Sequence, residues 1–148
     1  MDNSSIEIEI ADFQDANTLT ELQQFWYAVL SFNALEFYVL LHDNINLYGH
    51  TKQSFTEKLH RKMSAHQFYG DHEYILVLDK KELEYYSFIN CDFMGCVNTG
   101  FSTKLKFELA NNIVVGISFI EDEYDIEKVF DLYSLDDLMK RVFDRNMN

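Results

Sequence analysis

The sequence predicts an α+β fold, in which an antiparallel meander sheet of about four to five strands is packed mainly on one face by N-terminal helices and a short C-terminal helix. Apolar residues recur at helical spacing in the first half of the chain and near its end, whereas in the middle they alternate with polar residues. The segments between the middle strands are short. Short connections favour antiparallel pairing, because a parallel crossover needs a dozen or more residues.

The size and composition indicate one globular domain spanning residues 1–148. Hydrophobic residues make up 47% of the chain and aromatic residues 16%, enough for a packed core. The chain has no apolar run long enough for a transmembrane helix, and its acidic, polar start is unlike a secretory signal. Two cysteines, Cys91 and Cys96, are too few for a disulfide-stapled secreted domain. We therefore expect a cytoplasmic protein that makes no use of a membrane.

The N-terminal third predicts one strand and then a long helix. Isoleucine and glutamate alternate from Ser5 to Ile10, which is typical of a half-buried strand. Thr18–Glu21 matches the capping-box pattern, so a helix is predicted to begin there. It runs to about His42 or breaks near Asn33 into two. Because it is apolar almost all round, we expect it to be the buried central element.

A second capping-box pattern, Ser54–Glu57, predicts a helix that ends near Phe68. Its spacing divides the helix into two faces. The inner face is predicted to carry Phe55, Leu59 and Met63, and the outer face Lys58, Arg61 and Lys62.

The middle of the chain predicts a meander of strands separated by turns. The predicted strands are Glu73–Asp79, Leu83–Cys91, Thr103–Leu109 and Ile113–Ile120. The predicted turns are Lys80–Lys81, Asn98–Gly100 and Ala110–Asn112, and Gly116 is a candidate β-bulge. Residues 126–133 fit either a helix or an edge strand, and a short helix is predicted from Ser134 to about Phe143.

Charge is distributed unevenly along this chain of net charge −13. Residues 1–51 contain eight acids and no Lys or Arg, and residues 121–137 contain eight acids against Lys128. Between these blocks, residues 52–70 contain four cations and one acid. Because phosphate binding depends on Lys and Arg, the overall charge argues against direct binding of nucleic acid. It favours a negative surface that steers a basic protein partner, although a solvated acidic face explains the same residues.

The C-terminal acidic block also contains tyrosines, and tyrosine is enriched at protein interfaces. Acids that steer a partner and aromatic rings that anchor it make a reasonable binding surface. The predicted partner-binding residues are therefore Asp122, Glu123, Tyr124, Asp125, Asp131, Tyr133, Asp136 and Asp137. Charge reversal across this surface is expected to slow association.

The sequence contains no motif that identifies a reaction. Cys91 and Cys96 lack the CxxC spacing of zinc sites, and the five histidines form no HExxH motif, so no metal or cofactor is expected. There is no GxSxG motif, and the five glycines do not form a phosphate loop. Asp79, Glu82 and Glu84 could form a magnesium site of nuclease type, but a charged hairpin turn is the preferred interpretation. No catalytic residue is predicted.

The closing segment carries a resemblance to a known group of proteins, together with the small size, the acidity and the α+β order. The segment reads Phe130-Asp131-Leu132-Tyr133-Ser134-Leu135-Asp136-Asp137-Leu138. In these features the chain resembles the small acidic cytoplasmic immunity proteins of bacterial contact-dependent inhibition and related polymorphic-toxin systems. The resemblance implies a protein inhibitor that binds and neutralises a cognate nuclease toxin, whose basic substrate cleft complements an acidic antidote.

Two other functions remain open from the sequence. A phage-type protein that mimics DNA charge would block a host nucleic-acid-binding defence enzyme by the same electrostatics. A small enzyme or ligand-binding domain would instead need a pocket with converging polar groups. Its candidate residues are His42, Asp79, Cys91 and Asp92. The oligomeric state is left open.

Overall fold

The computed structural model describes residues 4–14, 18–95 and 100–129, with side chains described as far as residue 127. It confirms the predicted α+β fold with an antiparallel meander sheet. The strands are β1 (Ser5–Ile8), β2 (Tyr74–Asp79), β3 (Phe88–Gly95), β4 (Ser102–Ala110) and β5 (Ile113–Ile120). The helices are α1 (Glu21–Leu30), α2 (Ala34–Leu40), α3 (Lys52–Phe68), α4 (Lys80–Tyr85) and α5 (Ile126–Val129), and a 3₁₀ turn covers Ile10–Phe13.

The five strands lie in the order β1-β2-β3-β4-β5, and each pairs antiparallel with its neighbour. Asn111 and Asn112 have φ values of 52° and 65°. Two left-handed residues in succession suit a tight hairpin turn, which confirms the turn predicted between β4 and β5. Glu108 pairs with Gly116 and Leu109 with Val114, so Val115 is an extra residue in β5. The bulge therefore lies beside the glycine that predicted it.

The core lies between α1–α3 and one face of the sheet. Alternate residues of the strands point into it, among them Leu105 and Phe107 of β4, which are fully buried. The ring centroid of Phe25 lies 4.9 Å from that of Phe37 and 6.0 Å from that of Phe107, so rings of α1, α2 and β4 meet. Burying one such side chain contributes about 1.5–3 kcal/mol. This packing fixes the helices against the sheet.

The predicted long helix is two helices, and its predicted start was wrong. Thr20, rather than Thr18, accepts the Gln23 amide hydrogen bond at 3.2 Å, so α1 begins two residues later than the Thr18 pattern implies. Phe32 has a left-handed backbone (φ 54°), and the Asn33 side chain accepts a 3.0 Å hydrogen bond from the Glu36 amide to begin α2. The break gives α2 its own buried residues, Ala34 and Phe37.

Helix α3 begins at Lys52 with Thr51 as its N-cap, one turn before the predicted capping box. Phe55, Leu59 and Met63 are buried as predicted. Lys62 was predicted to face out, but its side chain is fully buried. Because it lies three residues after Leu59, it shares the inner face of the helix.

The predicted Lys80–Lys81 turn was wrong, as was the strand from Leu83. Asp79 Oδ1 accepts a 2.8 Å hydrogen bond from the Lys81 amide and caps α4, and β3 begins only at Phe88. The predicted turn at 98–100 lies mostly outside the described residues, and the helix predicted from 134 to 143 lies wholly outside them. Across the described ranges, none of the helices combines the length and apolar character needed to span a membrane.

Candidate functional site

Three acids of the C-terminal acidic block, Glu121, Asp125 and Glu127, are bound to α3. Four ion pairs join residues 58–62 of the helix to residues 121–127. The pairs are Lys58 with Glu121, Arg61 with Glu127, and Lys62 with both Asp125 and Glu127. We call them the α3 ion-pair cluster. The basic helix and the acidic block that the sequence analysis identified separately therefore neutralise each other within one molecule.

Lys62 and Asp125 form the interior of the α3 ion-pair cluster. The Lys62 Nζ lies 2.7 Å from Asp125 Oδ2 and 3.3 Å from Glu127 Oε2, and the side chains of Lys62 and Asp125 are 0% and 2% exposed. The other carboxylate oxygen of Asp125 accepts a 2.9 Å hydrogen bond from the Glu127 amide. Asp125 was predicted to contact a partner, but its position in the interior removes it from any accessible surface.

The neighbouring predicted residues differ in accessibility. Asp122 Oδ2 accepts a 2.5 Å hydrogen bond from Lys104 Nζ, and this bond raises the pKa of Lys104. Glu123 is exposed, and Tyr124 is 54% exposed with its ring 5.8 Å from the Lys104 ammonium. Glu123 and Tyr124 are thus the accessible residues of this stretch. The predicted residues Asp131, Tyr133, Asp136 and Asp137 lie outside the described residues.

Most of the cations with described side chains are used within the molecule. Six of these eight Lys and Arg side chains form ion pairs with acids, namely Lys52, Lys58, Arg61, Lys62, Lys80 and Lys104, and the other two are Lys81 and Lys106. Glu7, Glu9 and Asp12, by contrast, are exposed and have no ion pair within the described ranges. Glu7 lies in β1, which is an edge strand of the sheet, and Glu9 and Asp12 follow that strand. We call these three residues the N-terminal acidic edge.

An exposed aromatic surface lies on α4 and the residue after it. Leu83, Tyr85 and Tyr86 are 42%, 78% and 54% exposed, and we call them the α4 aromatic surface. The Tyr86 ring stacks on Phe88 with centroids 5.4 Å apart and planes 10° apart. This stacking holds one ring in place while leaving it accessible. Sequence reasoning missed the surface because it assigned these residues to a strand, although the N-capping residue Asp79 was a usable signal.

The hydrogen bonds of α4 fix its start beside the start of β1. Glu82 Oε1 accepts a 2.7 Å hydrogen bond from the Asn90 amide, which ties the helix to β3. The Lys80 amide donates a 2.6 Å hydrogen bond to the Ser4 carbonyl, and Ser5 pairs with Asp79. The start of β1 and the start of α4 are therefore in direct contact. Exposed acids and exposed aromatic rings occur on adjoining elements.

A Thr-His-Asp arrangement lies in the interior. His66 Nδ1 is 2.8 Å from Asp71 Oδ2, and His66 Nε2 is 3.1 Å from Thr103 Oγ1. The distances match those of a nucleophilic triad, but all three residues are fully buried, so no substrate reaches the hydroxyl. Burial lowers the pKa of His66 against the opposing effect of Asp71, which favours a neutral imidazole. We therefore interpret this arrangement as a structural hydrogen-bond network joining α3 to β4.

The residues suggested for an enzyme or ligand-binding domain are dispersed. Asp79 caps α4, and Cys91 is a buried free thiol whose pKa is raised by burial. Asp92 lies on the opposite face of β3 from Cys91, since neighbouring strand residues alternate. His42 Nε2 is 3.3 Å from a carboxylate oxygen of Glu21. Among the described residues, no group of three or more His, Cys, Asp or Glu side chains is arranged to hold a metal.

Comparisons of the chain with family models, with curated proteins and with solved structures found no significant match. The functional argument therefore rests on the chain's own residues. Among the described residues, the N-terminal acidic edge supplies exposed carboxylates and the α4 aromatic surface supplies exposed rings. That chemistry is suited to binding a cationic protein surface.

Proposed function

We propose that this protein binds and neutralises a basic protein partner, and that the partner is a nuclease toxin domain to which it confers immunity. One observation carries the proposal. After internal pairing has consumed most of the described cations, the exposed acids of the N-terminal acidic edge have no ion-pair partner among the described residues. Exposed aromatic rings lie on α4, whose start contacts the start of β1.

The electrostatic part of the proposal concerns association. A nuclease must present a positive cleft to hold phosphate groups, because Lys and Arg supply most of that affinity. A protein of net charge −13 attracts such a cleft over a distance of about one Debye length. Steering of this kind raises association rates by about 10 to 1000-fold. The N-terminal acidic edge offers three carboxylates that form no ion pair with the cations whose side chains are described.

The aromatic part of the proposal concerns the lifetime of the complex. Tyr and Arg are enriched among residues that dominate binding energy. An Arg or Lys of the partner can stack on the exposed ring of Tyr85 or Tyr86, which is worth about 0.5–1 kcal/mol at an exposed site and more once water is excluded.

The experiment compares two variants of equal charge change. Glu7→Lys/Glu9→Lys alters the N-terminal acidic edge, and Glu36→Lys/Glu123→Lys alters two exposed acids elsewhere. Because Glu123 belongs to the binding surface that the sequence predicted, the two variants compare the two candidate locations. Tagged wild type and both variants are used to capture partners from the native host at low salt, and the bound material is released at high salt and identified by mass spectrometry. Circular dichroism confirms that each variant is folded.

The expected result is one basic partner with nuclease activity, which the wild-type protein inhibits. The edge variant should associate at least about tenfold more slowly, whereas the control variant should stay close to wild type. Equal association rates for the two variants would exclude the N-terminal acidic edge as the contact surface. A captured nucleic-acid-binding defence enzyme would favour the DNA-mimic function, and a co-purifying small molecule without a protein partner would favour a ligand-binding domain.

A further inference from the structure

The outer side of α2 carries an apolar stripe that the described fold leaves uncovered. Leu35, Val39 and Tyr38 are 72%, 67% and 41% exposed. They lie three and four residues apart, so they share one face of the helix. A contiguous exposed apolar face on a small acidic domain marks an interaction site rather than a packing defect.

A groove of about 480 Å³ runs beside this stripe, between α2 and α3. Leu35 and Tyr38 line it from α2, and Glu57, His60 and Arg61 line it from α3. The wall that α3 contributes therefore carries both signs of charge, with the acid nearer the start of the helix. Glu57 and Arg61 are four residues apart, about 6 Å along the helix axis.

The mixed charge of the groove decides between possible occupants. A uniformly basic partner would meet Arg61, and a uniformly acidic one would meet Glu57. The Arg61 Nε bonds to Glu127 at 3.0 Å, yet the side chain is 60% exposed, so its terminal amino groups can bind a second acceptor. In a two-fold symmetric pair, residue i of one copy contacts residue j of the other and the reverse contact also forms. A second copy of this chain therefore satisfies both charges.

We propose that the α2–α3 groove is the interface of a two-fold symmetric homodimer. The axis passes level with Leu59, midway between Glu57 and Arg61 along α3. Each Glu57 then faces the partner copy's Arg61, and the apolar stripe of each copy lies over the groove of the other. The N-terminal acidic edge is not part of this interface, so the proposal is independent of the proposed binding of a basic partner.

The homodimer and the binding of a basic partner should depend on ionic strength in opposite directions. Each copy carries a net charge of −13, so long-range repulsion opposes the dimer at low salt. The Debye length falls from about 30 Å at 0.01 M salt to about 3 Å at 1 M, and this screening should strengthen self-association through an apolar interface. Binding of a basic partner should weaken over the same range.

The decisive test uses two variants, each of which reverses one of the two charges. Glu57→Arg places cations opposite cations in a homodimer, and Arg61→Glu places acids opposite acids. Each variant alone should be monomeric by sedimentation velocity at concentrations where the wild type is dimeric. The comparison is made at about 0.15 M salt, where a Debye length of about 8 Å leaves the interaction between facing charges in place. An equimolar mixture should form a heterodimer, because one copy now presents only cations and the other only anions at these positions.

Further variants exclude a folding artefact. Glu123→Arg lies outside the groove and should dimerise like wild type. Leu35→Asn removes an apolar anchor that is already exposed in the monomer, so it should fold normally and weaken the dimer roughly tenfold or more. A wild-type protein that stays monomeric at high salt, or a mixture of the two charge variants that fails to associate, would overturn the proposal. Neither result would affect capture of a basic partner.

Discussion

Lys62 and Asp125 are buried, although the sequence pattern predicts that both are exposed. Both look like surface residues in the sequence, yet both are buried and bound to each other at 2.7 Å. Two charges in the interior are tolerated because each compensates the desolvation of the other. Charge reversal across the predicted acidic surface would therefore have damaged folding at Asp125 instead of testing association.

Replacing Asp125 should reveal this structural role. Asp125→Asn leaves Lys62 buried with its principal counter-charge removed, so the free energy of unfolding should fall by about 3 kcal/mol. Urea denaturation followed by circular dichroism measures the change. Glu123→Gln, at an exposed position two residues away, should stay within about 0.5 kcal/mol of wild type. Equal effects of the two substitutions would contradict the buried position of Asp125.

His66 should make stability depend on pH. Burial lowers its pKa in the folded state below the unfolded value of about 6.5, so the unfolded chain binds a proton more readily. As pH falls from about 7 to about 5, this residue should therefore lower the free energy of unfolding. Acid denaturation curves should show a shallower pH slope for His66→Gln than for wild type, even if that variant is less stable overall. His72→Gln, at an exposed position, should retain the wild-type slope.

At the scale of elements, the sheet is well predicted because period-two patterns are tied to burial. The strand predicted at Ile113–Ile120 has those bounds in the structure, and the one predicted at Thr103–Leu109 extends by one residue at each end. Shifting such a strand by one residue would turn its apolar side chains, such as Leu105 and Phe107, towards the other face. The alternation therefore defines both the strand and its inner face.

Helix boundaries are less predictable, because several residues compete for each cap. Thr18 and Thr20 both match the capping-box pattern, with Glu21 and Gln23. Ser54 matches it with Glu57, yet Thr51 caps α3, and the Ser54 side chain completes the box in place of Glu or Gln. Which one caps depends on where the backbone enters the extended region, a tertiary property that the pattern does not contain. The same limit concealed α4, whose start depends on the Asp79 cap.

The candidate surfaces were predictable only in their chemistry. The sequence indicated acids for steering and aromatic rings for anchoring, but it placed them in the C-terminal block. It could not show that the fold brings Lys58, Arg61 and Lys62 against that block. Nor could an apolar pattern distinguish the buried α1 from α2, whose Leu35 faces out after the break at Asn33.

Over the whole molecule, the described acids fall into two groups. Those of the α3 ion-pair cluster are neutralised by cations of the same chain, and those of the N-terminal acidic edge are exposed. The α3 ion-pair cluster joins a helix to residues more than fifty positions later in the chain, so it contributes to holding the fold together. The N-terminal acidic edge has no such partner in the described part of the chain. Repulsion among these acids costs folding stability.

Salt should therefore stabilise the folded protein. Raising ionic strength from about 0.01 M to about 0.15 M screens repulsion among exposed acids, while the buried Lys62–Asp125 pair is screened much less. The melting temperature of the wild type should rise over this range. Glu7→Gln/Glu9→Gln should show a smaller rise than Glu36→Gln/Glu123→Gln, because repulsion is strongest between acids that share one short edge. Differential scanning calorimetry at fixed pH measures both effects, and a melting temperature that falls with salt would show that attraction between surface ion pairs outweighs repulsion among the acids.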